Sequence, residues 1–184
     1  MVLYVKCCPK NESRTDRLAK ALLGTLGDYY EELDVMREDI HPLSNNDVIL
    51  REGMIAQANY SYPLFDYAKQ FAFADNIVIA APHWDLSFPA VLKIYIENIY
   101  VTGLVSRCGD DCRPHGMCNA KKLYYVTTSG GPYYPRYSYE YIDTLAREHF
   151  GIDETELIYA DMLDIDGYDP DQIMEDKIKE IKER

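Results

Sequence analysis

Hydroxyl-bearing and basic side chains are concentrated in the first loop of the chain, directly after an apolar run at residues 2–5. Leucines at helical spacing follow this loop, so it is predicted to join a strand to a helix. Such a turn offers free backbone N–H groups and the positive end of a helix dipole to an anion. Capping of the helix by Ser13 and Thr15 is the structural alternative. The side chains that we expect to bind a phosphate group here are Lys10, Ser13, Arg14 and Thr15.

A second loop combines aromatic and apolar residues after the apolar run at residues 76–81. Exposed apolar side chains at the open end of a strand are unfavourable in water, and a flat aromatic ligand would cover them. Packing of Trp84 beneath a neighbouring loop is the alternative interpretation. The residues predicted to line a ligand in this loop are Pro82, His83, Trp84, Asp85 and Leu86.

A third loop carries paired glycines after the apolar run at residues 123–128. Paired glycines allow the backbone to approach a ligand closely, because they have no Cβ. An ordinary glycine turn is the alternative. The ligand contacts predicted in this loop are Ser129, Gly130, Gly131 and Tyr133.

The first loop also contains a cysteine that could act as a nucleophile. The segment that starts at Cys8 fits Cys-x5-Arg-Ser/Thr and is similar to the phosphate loop of the low-molecular-weight tyrosine phosphatases. A thiolate at Cys8 would be activated by the helix end and Arg14, and Asp169 would serve as general acid. Glu12, however, would place negative charge in a site for a dianion, and Pro9 removes one N–H donor. This hydrolase is therefore the second hypothesis, and it leaves the other two loops unexplained.

Three cysteines and a histidine lie close together between residues 107 and 118. Their side chains would suffice for tetrahedral zinc or could hold an iron–sulfur cluster, although the spacing matches no known pattern. Reduced thiols in a loop, or a Cys108/Cys112 pair that oxidises, are the alternatives. The residues concerned are Cys108, Cys112, His115 and Cys118.

The elements that position these loops are predicted from the alternation of apolar runs and helical periodicity. Helices are expected near residues 18–26, 47–73, 91–99 and 137–149, and after Asp169, while residues 103–120 are expected to be irregular. This alternation predicts a flavodoxin-like three-layer α/β/α sandwich with a five-stranded parallel sheet of order 2-1-3-4-5. Ligands bind beyond the carboxyl ends of such strands, so the three loops should meet. The predicted strands are residues 2–5, 31–36, 76–81, 123–128 and 157–162.

Length and charge narrow the class of protein. The chain has 184 residues and a formal net charge of −12, which predicts one domain over residues 1–184 and argues against a nucleic-acid partner. No apolar run is long enough to cross a membrane, and no export signal is visible. The five cysteines are therefore expected to be reduced thiols in a cytoplasm.

The three loops, taken in order, resemble the flavodoxin-like FMN-dependent NAD(P)H reductases, which include quinone and azo reductases. The residues that carry the resemblance are Cys8-Pro9-Lys10-Asn11-Glu12-Ser13-Arg14-Thr15, Pro82-His83-Trp84-Asp85-Leu86-Ser87-Phe88-Pro89-Ala90-Val91-Leu92-Lys93, Ala120-Lys121-Lys122 and Ser129-Gly130-Gly131. The resemblance covers most of residues 1–150, and the second loop is its most specific element.

The resemblance implies a homodimer that binds FMN and passes hydride from NADH or NADPH to a quinone, azo or nitro acceptor. It implies that Ser13, Arg14 and Thr15 hold the phosphate, while the second and third loops contact the flavin ring. It assigns no catalytic side chain, because the cofactor carries the chemistry. A flavin electron carrier or an iron–sulfur flavoprotein is the third hypothesis.

Three residues depart from the family pattern, and one of them is Leu86, which stands where the family often has phenylalanine. Asp85 stands where the family usually has asparagine, and a carboxylate there would oppose the negative charge of reduced flavin. Cys8 replaces the usual serine and removes one hydroxyl from the phosphate side, although it remains among the residues that the resemblance places in contact with the cofactor.

Overall fold

A computed structural model describes residues 1–10, 12–27 and 29–184 of the chain. Its main sheet has five parallel strands in the order β2-β1-β3-β6-β7. These strands are β1 (Val2–Lys6), β2 (Tyr30–Asp34), β3 (Asn76–Ala80), β6 (Lys122–Thr128) and β7 (Glu154–Ala160). The predicted order 2-1-3-4-5 is therefore confirmed, because β6 and β7 are the fourth and fifth strands of this sheet.

Helices cover both faces of the sheet. They are α1 (Arg14–Leu26), α2 (Asn45–Ala56), α3 (Asp66–Phe73), α4 (Ala90–Ile99), α5 (Tyr139–Thr144) and α6 (Pro170–Lys182). A π-helical segment, Leu145–Phe150, continues α5. Alternate side chains of β1 pack on opposite faces of the sheet. Val2 and Tyr4 face the core beneath α1 and α6. Leu3 and Val5 face the core that α3, α4 and α5 complete.

The prediction of an irregular segment at residues 103–120 is wrong in its centre. There β4 (Ser106–Cys108) and β5 (Pro114–Gly116) form an antiparallel hairpin. The strands are short and mostly exposed, so they lack the apolar alternation that marks a strand in the sequence. Packing fixes the hairpin instead, because a Cβ on Gly116 would lie 1.9 Å from the backbone nitrogen of Gly151.

Two strand boundaries also differ from the sequence prediction. β2 starts one residue earlier and ends at Asp34. β7 runs over Glu154–Ala160 rather than residues 157–162, because its first half is an edge strand that carries polar residues. Met162 has a φ of 61°, which ends the extended backbone after Ala160.

The first turns of two helices differ in how they are capped. Asp169 caps α6, since its Oδ1 accepts hydrogen bonds from the backbone N–H groups of Asp171 (3.0 Å) and Gln172 (3.2 Å). Ser13 is the N-cap residue of α1, but its side chain makes no capping hydrogen bond. The amides of the first turn of α1 are thus left without this partner. In the described part of the chain, no helix is both long and apolar enough to cross a membrane.

Candidate functional site

A cleft of about 380 Å³ lies at the carboxyl ends of β1, β3 and β6. All three loops singled out by sequence contribute to it, as expected for a sheet whose order reverses beside β1. The predicted residues that line it are Lys10, Ser13, Arg14, Thr15, Pro82, His83, Trp84, Ser129 and Gly130. Five further lining residues were not predicted: Pro9, Glu12, Thr128, Leu163 and Asp164. Asn11 of the first loop lies outside the described residues.

The amino end of α1 forms one end of the cleft. Ser13 is buried, whereas Lys10 is exposed at the mouth. Arg14 reaches across to the segment after β7, where its Nη1 donates to the carbonyl of Leu163 (3.2 Å) and to Asp164 Oδ1 (2.8 Å). This end therefore combines helix amides and cationic groups, a combination that suits an anionic ligand.

The hydroxyl of Thr15 is directed into the protein rather than toward a ligand. Its Oγ1 lies 2.6 Å from Thr128 Oγ1, and both residues are buried. This contact joins the first turn of α1 to the end of β6. The side chain of Thr15 thus connects the first loop to the third, and its Oγ1 already has a partner inside the protein.

The second loop is a tight turn with an unusual backbone. Trp84 and Ser87 exchange hydrogen bonds, with N···O distances of 3.0 and 2.8 Å. Between them, Asp85 and Leu86 have φ angles of 50° and 67°, a region that is costly for residues other than glycine. In the described chain, the N–H groups of Asp85 and Leu86 have no backbone acceptor, so the turn presents two open donors.

His83 sits beneath this turn and packs edge-on against Tyr133, with ring centroids 4.9 Å apart. The backbone N–H of His83 donates to the carbonyl of Thr128 (2.9 Å), which ties the second loop to β6. Both ring nitrogens are buried and make no hydrogen bond of good geometry among the described residues, although the backbone of Ser87 is close enough to interact with the ring. Burial lowers the pKa of the imidazole, so the neutral ring is favoured near pH 7.

The third loop runs alongside the segment that follows β7. The backbone N–H groups of Met162, Leu163 and Asp164 donate to the carbonyls of Gly131 (3.2 Å), Ser129 (3.3 Å) and Gly130 (2.9 Å), respectively. Within the described residues, the N–H groups of the two glycines have no backbone acceptor, so they remain open to a ligand.

Five predicted contact residues do not line the cleft. Cys8 is buried in the core beneath α1. The other four, Asp85, Leu86, Gly131 and Tyr133, belong to the two loops that form its rim.

The structure argues against a nucleophilic cysteine. The Sγ of Cys8 is directed toward the carbonyl of Ala80 at 3.6 Å, and only 3% of the residue is exposed. Burial raises the pKa of this thiol to about 11, so the thiolate required for attack is disfavoured. The carboxylate of Asp169, the candidate general acid, instead accepts the hydrogen bonds that cap α6.

The cysteines of the hairpin lie at the other end of the sheet. Cys108 and Cys112 are exposed, while Cys118 is half-buried beside the amino ends of β3 and β6. His115 Nε2 lies 3.1 Å from Asp111 Oδ1. Across the described ranges, no three histidine, cysteine or acidic side chains are gathered in a way that could hold a metal ion. The hairpin therefore does not assemble the metal site considered for Cys108, Cys112, His115 and Cys118.

Comparisons with known proteins agree with this architecture. A family model described as flavodoxin-like fold matches residues 1–184. An FMN-dependent NADH:quinone oxidoreductase from Coprothermobacter proteolyticus is 34% identical, over 99% of this chain and 96% of the relative. A second protein of that description, from Clostridium beijerinckii, is also 34% identical, over 99% and 96% of the two chains.

Solved structures share the fold at lower identity. The azoreductase from Bacillus anthracis superposes with a TM-score of 0.83 at 22% identity, over 99% of this chain and 96% of the other. An FMN-dependent NADH-azoreductase from Bacillus anthracis, in complex with FMN, gives a TM-score of 0.81 at 18% identity, over 99% and 95%. The family model matches the whole chain, and the two relatives are 34% identical along nearly its full length. The protein therefore belongs to the family of flavodoxin-like fold that includes the FMN-dependent NADH:quinone oxidoreductases.

Proposed function

We propose that this protein is an FMN-dependent oxidoreductase that transfers hydride from NADH to a quinone or azo acceptor. The observation that carries the proposal is the cleft at the switch point of the sheet, which is lined by the uncapped amino end of α1 together with residues of the second and third loops. Relatives described as FMN-dependent NADH:quinone oxidoreductases support the choice of cofactor, donor and acceptor.

The residues present fit FMN. The amides at the start of α1, with Lys10, Ser13 and Arg14, would hold the phosphate. The open N–H groups of the Asp85-Leu86 turn and of the paired glycines would hold the polar edges of the ring. The ring nitrogens of His83 are buried without a well-formed hydrogen bond, so a polar group of a ligand could pair with them, and 46% of Trp84 is exposed in the same loop. A volume of about 380 Å³ falls within the usual range for cofactor clefts.

When bound, FMN supplies the hydride chemistry, and the protein provides binding, orientation and exclusion of water. The main chain does most of this work. Thr15 and Thr128 hold the first and third loops together, while the His83–Thr128 hydrogen bond fixes the second loop to the third. We assign no catalytic side chain, because the transfer requires no protein acid or base in this scheme.

The assembly and the location are also part of the proposal. We propose a single flavodoxin-like domain over residues 1–184 that forms a homodimer in the cytoplasm. Large apolar side chains are exposed at the rim of the cleft, and a second copy would cover them. They are Trp84, Leu86, Tyr134 and Tyr137. Light scattering coupled to size exclusion would test the dimer.

The absorbance spectrum of the purified protein, followed by anaerobic titration with NADH and NADPH, tests the function. We expect a visible flavin absorbance band that NADH bleaches and a quinone restores. Absence of bound flavin together with failure of the apoprotein to take up FMN would refute the proposal. A flavin that neither nucleotide reduces would instead indicate an electron carrier.

A further inference from the structure

Asp164 lies across the phosphate end of the cleft, on the segment that follows β7. Its Oδ1 accepts a hydrogen bond from Arg14 Nη1 at 2.8 Å. Its backbone N–H donates to the carbonyl of Gly130 at 2.9 Å. Its other carboxylate oxygen is close to the third loop, since a Cβ built on Gly130 would lie 2.5 Å away from it. One carboxylate thus touches both the first and the third loop.

This position places a negative charge where the proposed ligand carries one. Arg14 and Lys10 are cations of the first loop that line the cleft, and Arg14 is already paired with Asp164. Glu12 also lines the cleft, so two carboxylates stand near the amino end of α1. A phosphate dianion bound there would share Arg14 with Asp164 and be repelled by its charge.

We propose that Asp164 sets the affinity of the cleft for the phosphate group of its ligand by competing for Arg14. The inference rests on the proposed function, and it adds a residue that limits binding rather than promoting it. Asp164 would reduce the advantage of FMN over riboflavin, which has the same ring system without the phosphate. The carboxylate then acts as a specificity-determining group, while the helix amides and Arg14 provide the attraction.

The test compares FMN and riboflavin binding to apoprotein by flavin fluorescence and calorimetry. Asp164→Asn keeps the size of the side chain and one acceptor oxygen, but it removes the charge and replaces the other oxygen with an NH2 donor. We expect Asp164→Asn to lower the Kd for FMN about five- to tenfold at low salt, because screening is then weak. We expect no change in the Kd for riboflavin. The decrease in the Kd for FMN should be smaller at roughly 1 M salt.

Asp166→Asn is the matched control, because Asp166 is an exposed acid on the same segment that lies two residues away. It should alter both affinities less than about twofold, as expected for a screened surface charge. Asp164→Ser serves as a second uncharged variant, and thermal unfolding of each apoprotein verifies that it folds. In a protein that also carries Arg14→Gln, Asp164→Asn should increase the affinity for FMN less, because Asp164 and the phosphate no longer compete for Arg14.

The possible outcomes separate this inference from the proposed function. If the unmodified protein binds neither flavin, the proposed function fails and the inference falls with it. If it binds FMN but both uncharged variants bind FMN equally or more weakly, Asp164 does not limit affinity and only the inference is overturned. An equal increase in the affinity for riboflavin would also overturn the inference, because the substitution would then act on a part of the ligand other than the phosphate.

Discussion

At the scale of single residues, what a side chain does depends on where it points. Cys8 and Thr15 belong to the same loop, yet the thiol is directed toward Ala80 and the hydroxyl toward Thr128. Residue types and spacing indicated a phosphate loop but could not give these directions. Nor could they reveal Asp164, which is 150 positions from its partner Arg14.

The thiols should differ sharply in reactivity. Burial raises the pKa of Cys8 to about 11 and that of Cys118 to about 12, and it raises the pKa of Cys7 well above its usual range. Cys108 and Cys112 are exposed. Brief treatment of the native protein with iodoacetamide at about pH 8 should therefore modify those two residues alone, because the thiolate is the reactive form. Peptide mass spectrometry would locate the adducts. Rapid modification of Cys8 would revive the nucleophile hypothesis.

His83 should make the apoprotein less stable in mild acid. Burial lowers the pKa of its ring in the folded state, whereas the unfolded chain takes up the proton near pH 6.5. Below that value the unfolded state binds more protons, so the free energy of unfolding decreases as the pH falls. His83→Met should lose less stability between about pH 7 and 5 than the unmodified protein in urea titrations.

His41→Gln is the control for this experiment, because 65% of the side chain of His41 is exposed. Its pH profile should match that of the unmodified protein. Parallel profiles for His83→Met and the unmodified protein would show that burial of the ring has no such effect.

At the scale of elements, the apolar strands were predicted well because a parallel sheet buries both faces of its central strands. The hairpin of β4 and β5 was not predicted, since its strands are three residues long and are fixed by a distant backbone. The sequence pattern did not predict the π-helical segment after α5 either, because this segment has the same apolar periodicity as the helix that it continues.

The link between β1 and α1 is a buried hydrogen bond. Tyr4 Oη donates to Asp16 Oδ1 at 2.6 Å, and Asp16 also pairs with Lys20 at 2.8 Å. Tyr4→Phe should lower the free energy of unfolding by about 1.5–3 kcal/mol, the range for hydrogen bonds to charged groups. Chemical denaturation provides the measurement. Tyr29→Phe, at a residue that is 75% exposed, should have almost no effect. Equal stability of the two variants would contradict the assigned role of Tyr4.

The docking of the hairpin depends on Gly116. A methyl group there would meet the backbone nitrogen of Gly151 at 1.9 Å and the carbonyl carbon of Phe150 at 2.1 Å. Gly116→Ala should release the hairpin, because backbone atoms cannot move aside as a flexible side chain can. Faster amide hydrogen exchange in β4 and β5 would report the release.

Gly24→Ala is the matched control for Gly116→Ala, because a Cβ there has no neighbour within 4 Å. In a helix it should stabilise the protein by up to about 1 kcal/mol. Unchanged exchange in the hairpin of Gly116→Ala would show that the contact does not hold it.

At the scale of the whole molecule, alternation of strands and helices was enough to predict the sheet and the place of the cleft. The carboxyl ends of parallel strands meet wherever the strand order reverses, so the three loops converge by topology. The net charge of −12 is compatible with an anion site, because the first loop presents Lys10 and Arg14 locally. Topology, however, could not predict that an acidic segment after β7 would form part of the same wall.

The open N–H groups of the second and third loops have a consequence for how this molecule can change over time. A main-chain donor survives substitution of the side chain attached to it, so selection can replace residues around the cleft without dismantling it. A similar sheet persists in the Bacillus anthracis azoreductase at only 22% identity. Such a scaffold allows side chains beside the cleft to change while the main-chain donors keep their positions.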